Sequence, residues 1–177
     1  MQPFKLKLRI LDKARQEVLR LYGNQLRLRV CGICIEDNQI LLLNHRGVGQ
    51  TNTFWCPPGG GIQFGETATE ALVREYEEET GLEIVVQDLL FVHESVRPPL
   101  HAVELFFEVK IRKGIARIGT DPEMSAGTQI IQELRWLHFE EIKNFPPNEV
   151  HALFQACESL ADVKNLKGYL KGSPVQR

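Results

Sequence analysis

Two hydrophobic periods share this chain. Phe4, Leu6, Leu8 and Ile10 alternate with Lys5, Lys7 and Arg9 at the spacing of a strand. From Ile10 to Tyr22 the apolar Leu11, Ala14, Val18, Leu19 and Leu21 recur at helical spacing, until Gly23 and Asn24 end the run. Residues 26–35 and 40–43 are β-patterned on either side of a polar turn at 36–39, which predicts a hairpin. A polar, glycine-bearing loop follows over 44–52. Pro57-Pro58-Gly59-Gly60-Gly61 then stops a short strand, Glu66-Thr67 marks a helix start, and Gly81 is placed to close that helix as a left-handed cap. Beyond it, residues 82–86 and 89–96 predict two strands around Gln87-Asp88, and 103–111 a strong strand after the turn Arg97-Pro98-Pro99-Leu100-His101. Residues 114–128 form a long loop of the kind often given to function or motion. A last strand is predicted at 132–137, and after Pro146-Pro147 a helix at 148–160 with Val150, Leu153, Phe154 and Cys157 on one face. The Lys-, Gly- and Pro-bearing stretch from Asp162 reads as a tail with partial order.

The helix after Glu66 carries the anomaly. Ala68, Thr69, Leu72, Val73 and Tyr76 spread over one arc and can pack, while Glu75, Glu78 and Glu79 gather on a neighbouring arc. Those acids occupy the last turns, where the helix dipole favours cations. Each like-charge pair costs roughly 0.2–0.5 kcal/mol on an isolated helix. A solvated acidic helix end is the bland account. A divalent cation is the sharper one, because hard oxygen ligands suit Mg²⁺ or Mn²⁺ and turn repulsion into coordination.

Composition narrows the class without naming an activity. At 177 residues, with 43% hydrophobic and 25% charged residues, the chain suits one soluble domain with a sizeable core. A net charge of −2 supplies no general attraction to nucleic acid, and no apolar run of membrane-spanning length is present. The N-terminus lacks a secretory signal pattern, so a cytoplasmic location is expected. Cys31 and Cys34 form C-x-x-C, but no second pair follows at zinc spacing, and residues three apart on a strand face opposite ways. Buried structural thiols are expected there, and at Cys56 and Cys157. Trp55 is expected in the core rather than as a base-stacking platform.

From Gly60 to Leu82 the sequence reads GGIQFGETATEALVREYEEETGL. It resembles the Nudix box, G-x5-E-x7-R-E-U-x-E-E-x-G-U, through Gly60, Glu66, Arg74, Glu75, Glu78, Glu79, Gly81 and Leu82; Tyr76 stands where an aliphatic residue is usual. Trp55 with Pro57-Pro58-Gly59-Gly60, and Arg135-Trp136 with Glu140-Glu141-Ile142, resemble the family's flanking patterns. The resemblance covers about residues 26–154. It implies the α/β Nudix fold, a mixed β-sheet sandwiched between α-helices, with residues 1–24 as a basic amphipathic extension, 25–161 as the hydrolase domain and 162–177 as the tail.

It also implies a hydrolase of phosphoric anhydrides that cleaves the diphosphate of a nucleoside diphosphate linked to X, a small-molecule partner. By motif position Glu75, Glu78 and Glu79 are metal ligands with carbonyls of the Gly59–Gly60 turn beside them. Glu78, Glu75 and Arg74 carry the chemistry, with Arg74 orienting a carboxylate, and Glu66 anchors the turn to the helix. Arg46 is either a solvated loop charge or a phosphate ligand. Arg97, His93 and His101 flank a turn and are candidates for phosphate or sugar. Relatives take their general base from the box or from outside it, and the outside candidates here are Glu123 and Glu133. For X the general resemblance leans towards ADP-ribose or a nucleotide sugar. A house-cleaning nucleoside triphosphate pyrophosphohydrolase and a non-catalytic nucleotide-binding or regulatory domain are the alternatives. An isoprenyl diphosphate isomerase shares the fold, but its cysteine and acid set is not found here. The extension and the hydrophobic strands also make a homodimer possible.

Overall fold

A computed structural model describes residues 13, 15–46, 51, 53–119 and 129–172. The expected strand at residues 4–10 lies outside the described residues. A helix, α1, runs over residues 15–22 and ends at Gly23 and Asn24 as the pattern predicts. β1 (Gln25–Ile33), β2 (Ile35–Glu36), β3 (Gln39–Arg46), β4 (Thr53–Cys56), α2 (Ala68–Thr80), β5 (Glu83–Arg97), β6 (Leu100–Lys113), β7 (Ile131–Leu137) and α3 (Phe139–Lys143) follow. A 3₁₀ turn (Ala152–Ala156), α4 (Leu160–Asn165) and β8 (Gly168–Lys171) complete the order.

The strands form two sheets, one mixed and one antiparallel. One sheet is ordered β1-β6-β5-β8, and the second holds β2, β3 and β4, with β7 along the other edge of β3. The expected hairpin is shorter than predicted. Ile35 pairs with Ile40 and Glu36 with Gln39 around Asp37 and Asn38, both at positive φ, whereas β1 leaves this sheet to run parallel to β6. Parallel pairing across distant segments is invisible to local periodicity, which is why β1 and β3 looked like partners.

The two strands expected over 82–86 and 89–96 are one, β5. β5 continues through Gln87-Asp88 by register shifts between Val86 and Leu89 and between Leu89 and Phe91, so the polar pair is a bulge and not a break. The predicted helix over 148–160 is also corrected. The backbone at Glu149 and His151 is used to pair with Trp55, with Trp55 N–H on the Glu149 carbonyl at 2.7 Å and His151 N–H on the Trp55 carbonyl at 2.8 Å. Only a 3₁₀ turn forms next, and α4 starts afresh at its Ser159 cap. The stretch expected as a tail includes most of α4 and the whole of β8, which lies parallel to β5 from Phe91 to Glu94.

Two apolar clusters hold this arrangement between helices. On one side α2 places Ala71, Leu72 and Tyr76 against Val30, Leu41, Ile84 and Val109. On the other, Phe139, Ile142, Leu153, Phe154, Leu160 and Val163 cover Cys31, Ile40, Leu42, Phe91 and Phe106. Trp55 lies in this second cluster, stacked on Phe145 with ring centroids 5.4 Å apart. All four cysteines are buried and free. Among the described residues, no helix is long and apolar enough to cross a membrane.

Candidate active site

The chain leaves β4 at Cys56 and runs along the edge of β1. Gly32 N–H bonds to the Pro58 carbonyl at 3.0 Å, Val30 N–H to the Gly60 carbonyl at 2.9 Å and Ile62 N–H to the Leu28 carbonyl at 3.1 Å. Gly59 holds φ 145°, and a Cβ there would meet the Val30 carbonyl oxygen and stand 2.7 Å from Cys31 Cα. No other residue type fits that turn. At Gly60 an added Cβ would overlap the carboxyl group of Glu75.

Helix α2 starts on Thr67, whose side chain accepts from Glu70 N–H while Glu70 returns a bond to Thr67 N–H, a full capping box. It ends on Gly81 at φ 67°. Arg117 N–H and Gly119 N–H, from the segment after β6, bond to the Thr80 and Glu79 carbonyls at 2.9 and 2.8 Å. The unpaired carbonyls of the helix end are thereby satisfied from elsewhere in the chain.

The buried arc differs from the expected one. Thr69 and Val73 are exposed, and the packed face is Ala71, Leu72, Glu75, Tyr76, Glu79 and Thr80. Two of the three acids are therefore in the wall: Glu75 is 7% and Glu79 4% exposed, while Glu78 is half-buried. The turn accounts for the shift, because it wraps over the helix. Gly59 N–H donates to Glu79 Oε2 at 2.8 Å.

Arg74 ties the group together. Its guanidinium donates to both oxygens of Glu66 at 2.8 and 3.2 Å, to Glu75 Oε1 at 2.9 Å, to Glu78 Oε2 at 3.3 Å and to the Gly61 carbonyl at 3.1 Å. Glu66 also accepts from Gln63 N–H at 2.7 Å, so it links the turn to the helix. Three carboxylates converge here beside a turn stripped of side chains. Such a donor set suits a hard divalent cation.

Burial, and then the charge of Glu79, push the Glu75 carboxyl up to about 7, with Arg74 and Arg29 offsetting only part. The folded protein therefore holds more protons at Glu75 than the unfolded chain does between the ordinary value of 4.5 and about 7. Stability from this group falls as pH rises through that window. In EDTA, the unfolding free energy of the wild type relative to Glu75→Gln should decline over that interval and level off above it. A difference that stays constant with pH would remove the raised carboxyl.

Sequence reasoning passed over His45. This buried imidazole on β3 stands 3.9 Å from Glu79 Oε1, with Nδ1 3.5 Å from Cys56 Sγ. Burial opposes its charge, but Cys56 and Glu79 outweigh burial and raise it to about 10. Only the strand alternation that turns His45 inward could have signalled it.

The other candidates are dispersed. Arg46, at the end of β3, donates from Nε to the Gln129 carbonyl at 2.8 Å. Glu133 pairs across β7 and β3 with Asn44, whose Nδ2 is 3.3 Å from Glu133 Oε1. Arg97 is exposed and closes β5 opposite Leu100, whose β1 partner is Gln25. That is four residues along β1 from Arg29, or roughly 13 Å at strand rise. His101 bonds to Glu94 at 2.8 Å, and His93 is buried against Glu104 at 3.0 Å. Glu123 lies outside the described residues.

Known proteins resemble this chain in sequence and in fold. The sequence model of the NUDIX domain matches residues 25–155. An ADP-ribose pyrophosphatase of Methanocaldococcus jannaschii is 36% identical over 115 residues, covering 64% of this chain and 67% of that protein. An 8-oxo-dGTP diphosphatase of Proteus vulgaris is 30% identical over 94 residues, 49% of this chain and 84% of that one. Among solved structures, a NUDIX hydrolase from Nitrosomonas europaea superposes with a TM-score of 0.65 at 17% identity over 81% of this chain and 93% of that one, a likeness of fold.

Proposed function

The chain belongs to the Nudix family of hydrolases acting on pyrophosphate bonds, and from that premise we propose that it cleaves a nucleoside diphosphate linked to X, with Mg²⁺ or Mn²⁺ held by Glu75, Glu78 and Glu79. The observation that carries the reading is that Arg74 holds Glu75 and Glu78 together while the Gly59–Gly60 turn holds Glu79 at its amide and lies against the Glu75 carboxyl. A bound divalent cation supplies charge neutralisation for the diphosphate and lowers the pKa of water. The chain's own groups do the holding. Glu79 fixes the turn through Gly59 N–H, and Arg74 keeps Glu75 and Glu78 oriented while Glu66 anchors Arg74. Glu78 is the most open of the three acids, which supports giving it the role nearest the chemistry.

The ADP-ribose pyrophosphatase relative supports ADP-ribose or a nucleotide sugar as the substrate class, and the 8-oxo-dGTP diphosphatase supports a triphosphate as the second reading. Release of phosphate-containing products from ADP-ribose, nucleotide sugars and nucleoside triphosphates, with Mg²⁺ and with EDTA, separates them. Faster turnover of ADP-ribose or a sugar nucleotide, abolished by EDTA, is the expected result. Turnover of triphosphates alone would move the assignment to the second reading, and binding without turnover would make the domain non-catalytic. The free thiols fit a cytoplasmic setting. A second copy of the chain is the proposed macromolecular partner, supported by the exposed Leu26, Leu28 and Val96 on one face of β1 and β5. Light scattering that reports only monomer at micromolar concentration would dismiss it.

A further inference from the structure

Parallel pairing of β1 with β6 sets Arg29 opposite Glu104, a charged pair that no motif in the sequence announces. Glu104 is 8% exposed, and Arg29 Nε stands 3.3 Å from its Oε1 as an ion-pair contact. Its Oε2 lies 3.0 Å from His93 Nδ1 and 3.0 Å from His151 Nε2. The ligand atoms of His93, Glu104 and His151 are all within 4.8 Å of one another, the grouping of a cation site. Hydrogen bonding argues for a different use. His151 Nδ1 accepts from Leu153 N–H at 3.2 Å, so the ring proton sits on Nε2 and is donated to Glu104. A cation would need the lone pair that this tautomer lacks. The cluster is a carboxylate dressed with donors, which outweigh burial and hold Glu104 well below the usual carboxylate range.

A carboxylate so fixed immobilises the guanidinium beside it. Arg29 Nη2 donates to the Gly59 carbonyl at 3.0 Å, and the amide of the same residue donates to Glu79 Oε2 at 2.8 Å. The next residue, Gly60, lies directly on the Glu75 carboxyl. One peptide turn is thus gripped at its carbonyl by Arg29 and at its amide by Glu79. A buried pair of this kind is weak evidence for stability, since apolar replacements of similar volume are often neutral or better. We propose that Arg29, clamped by Glu104 with His93 and His151 behind it, is a positioning residue that sets the Gly59–Gly60 turn between Glu75 and Glu79 for divalent cation binding. The inference rests on the reading of Glu75, Glu78 and Glu79 as the cation site.

The test is a titration of the metal-free protein with Mn²⁺, followed by the electron paramagnetic resonance signal of free Mn²⁺, on wild type, Glu78→Gln, Arg29→Lys and the double variant Arg29→Met/Glu104→Leu. The double variant removes both charges, so no orphaned ion opposes folding, and its thermal unfolding is recorded alongside. It should bind Mn²⁺ about 10–100-fold more weakly than wild type, the usual loss when a group behind a metal ligand is removed. Arg29→Lys should recover part of that loss. At saturating metal the substrate KM should stay at the wild-type value. A folded double variant with wild-type Mn²⁺ affinity, while Glu78→Gln has lost it, overturns the positioning role alone. Wild-type affinity in Glu78→Gln overturns the cation site itself. A raised substrate KM with unchanged Mn²⁺ affinity overturns the role in favour of a direct substrate contact.

Discussion

Glu78→Gln should lower turnover on the order of 10²–10³-fold, the range seen when one charge-stabilising group is removed from an active site. The melting temperature should move by no more than a few degrees. Glu78 permits so clean a separation because its side chain is 31% exposed and accepts a 3.3 Å bond from Arg74. A partly exposed pair of this kind contributes under about 1 kcal/mol, or roughly 2–4 °C in a chain of this size. Glu79 would be a poorer choice. It is buried, caps Gly59 N–H and faces His45, so its amide variant would lose fold and function together. Steady-state kinetics and calorimetry on Glu78→Gln decide the matter, and near-normal turnover would withdraw Glu78 from the site.

Gly59→Ala should damage both stability and cation binding. The φ of 145° alone costs about 1–3 kcal/mol for a residue with a side chain. The new Cβ would also be driven into the backbone of Val30 and Cys31, which has no flexible end to yield. At roughly 2–4 °C per kcal/mol the melting temperature should fall by about 5–10 °C, with Mn²⁺ affinity reduced as the turn leaves Glu79. Gly65→Ala is the control. That glycine also has positive φ, at 96°, but nothing lies within 4 Å of its added Cβ. It should show the backbone cost without the clash and without loss of Mn²⁺ affinity. Equal melting temperatures for the two variants would mean that the turn can move, and that the close approach of Gly59 to β1 does not constrain the site.

Tyr76 illustrates how local pattern and tertiary contact divide the work. In the sequence it is only a departure from an aliphatic position. In the fold its ring is fully buried and its hydroxyl donates to the Gly32 carbonyl at 2.7 Å. A Cβ on Gly32 would sit 2.9 Å from that hydroxyl, so a glycine on β1 makes room for the larger ring on α2. Nothing near Tyr76 in the chain could have announced that fit. His45, Arg29 and Glu104 belong to the same class, because each gains its meaning from a partner on another element.

The residues from Gly60 to Leu82 determined by themselves the helix with its cap and the grouping of acids around Arg74, because spacing along one helix and its entry turn is local information, whereas the fold class came from the resemblance of that stretch to the Nudix box. The chain alone also led to the expectation of buried cysteines and a core Trp55, and the fold bears both out. What only the tertiary structure decided is which of those acids are buried, and what holds them there. The turn folds back along β1 and presses on Glu75 and Glu79, and Arg29, which grips that turn, is itself held by Glu104 through a parallel pairing of residues 75 positions apart. A helical wheel shows charges sharing an arc. Burial depends on what is laid over that arc, and here the cover comes from outside the helix.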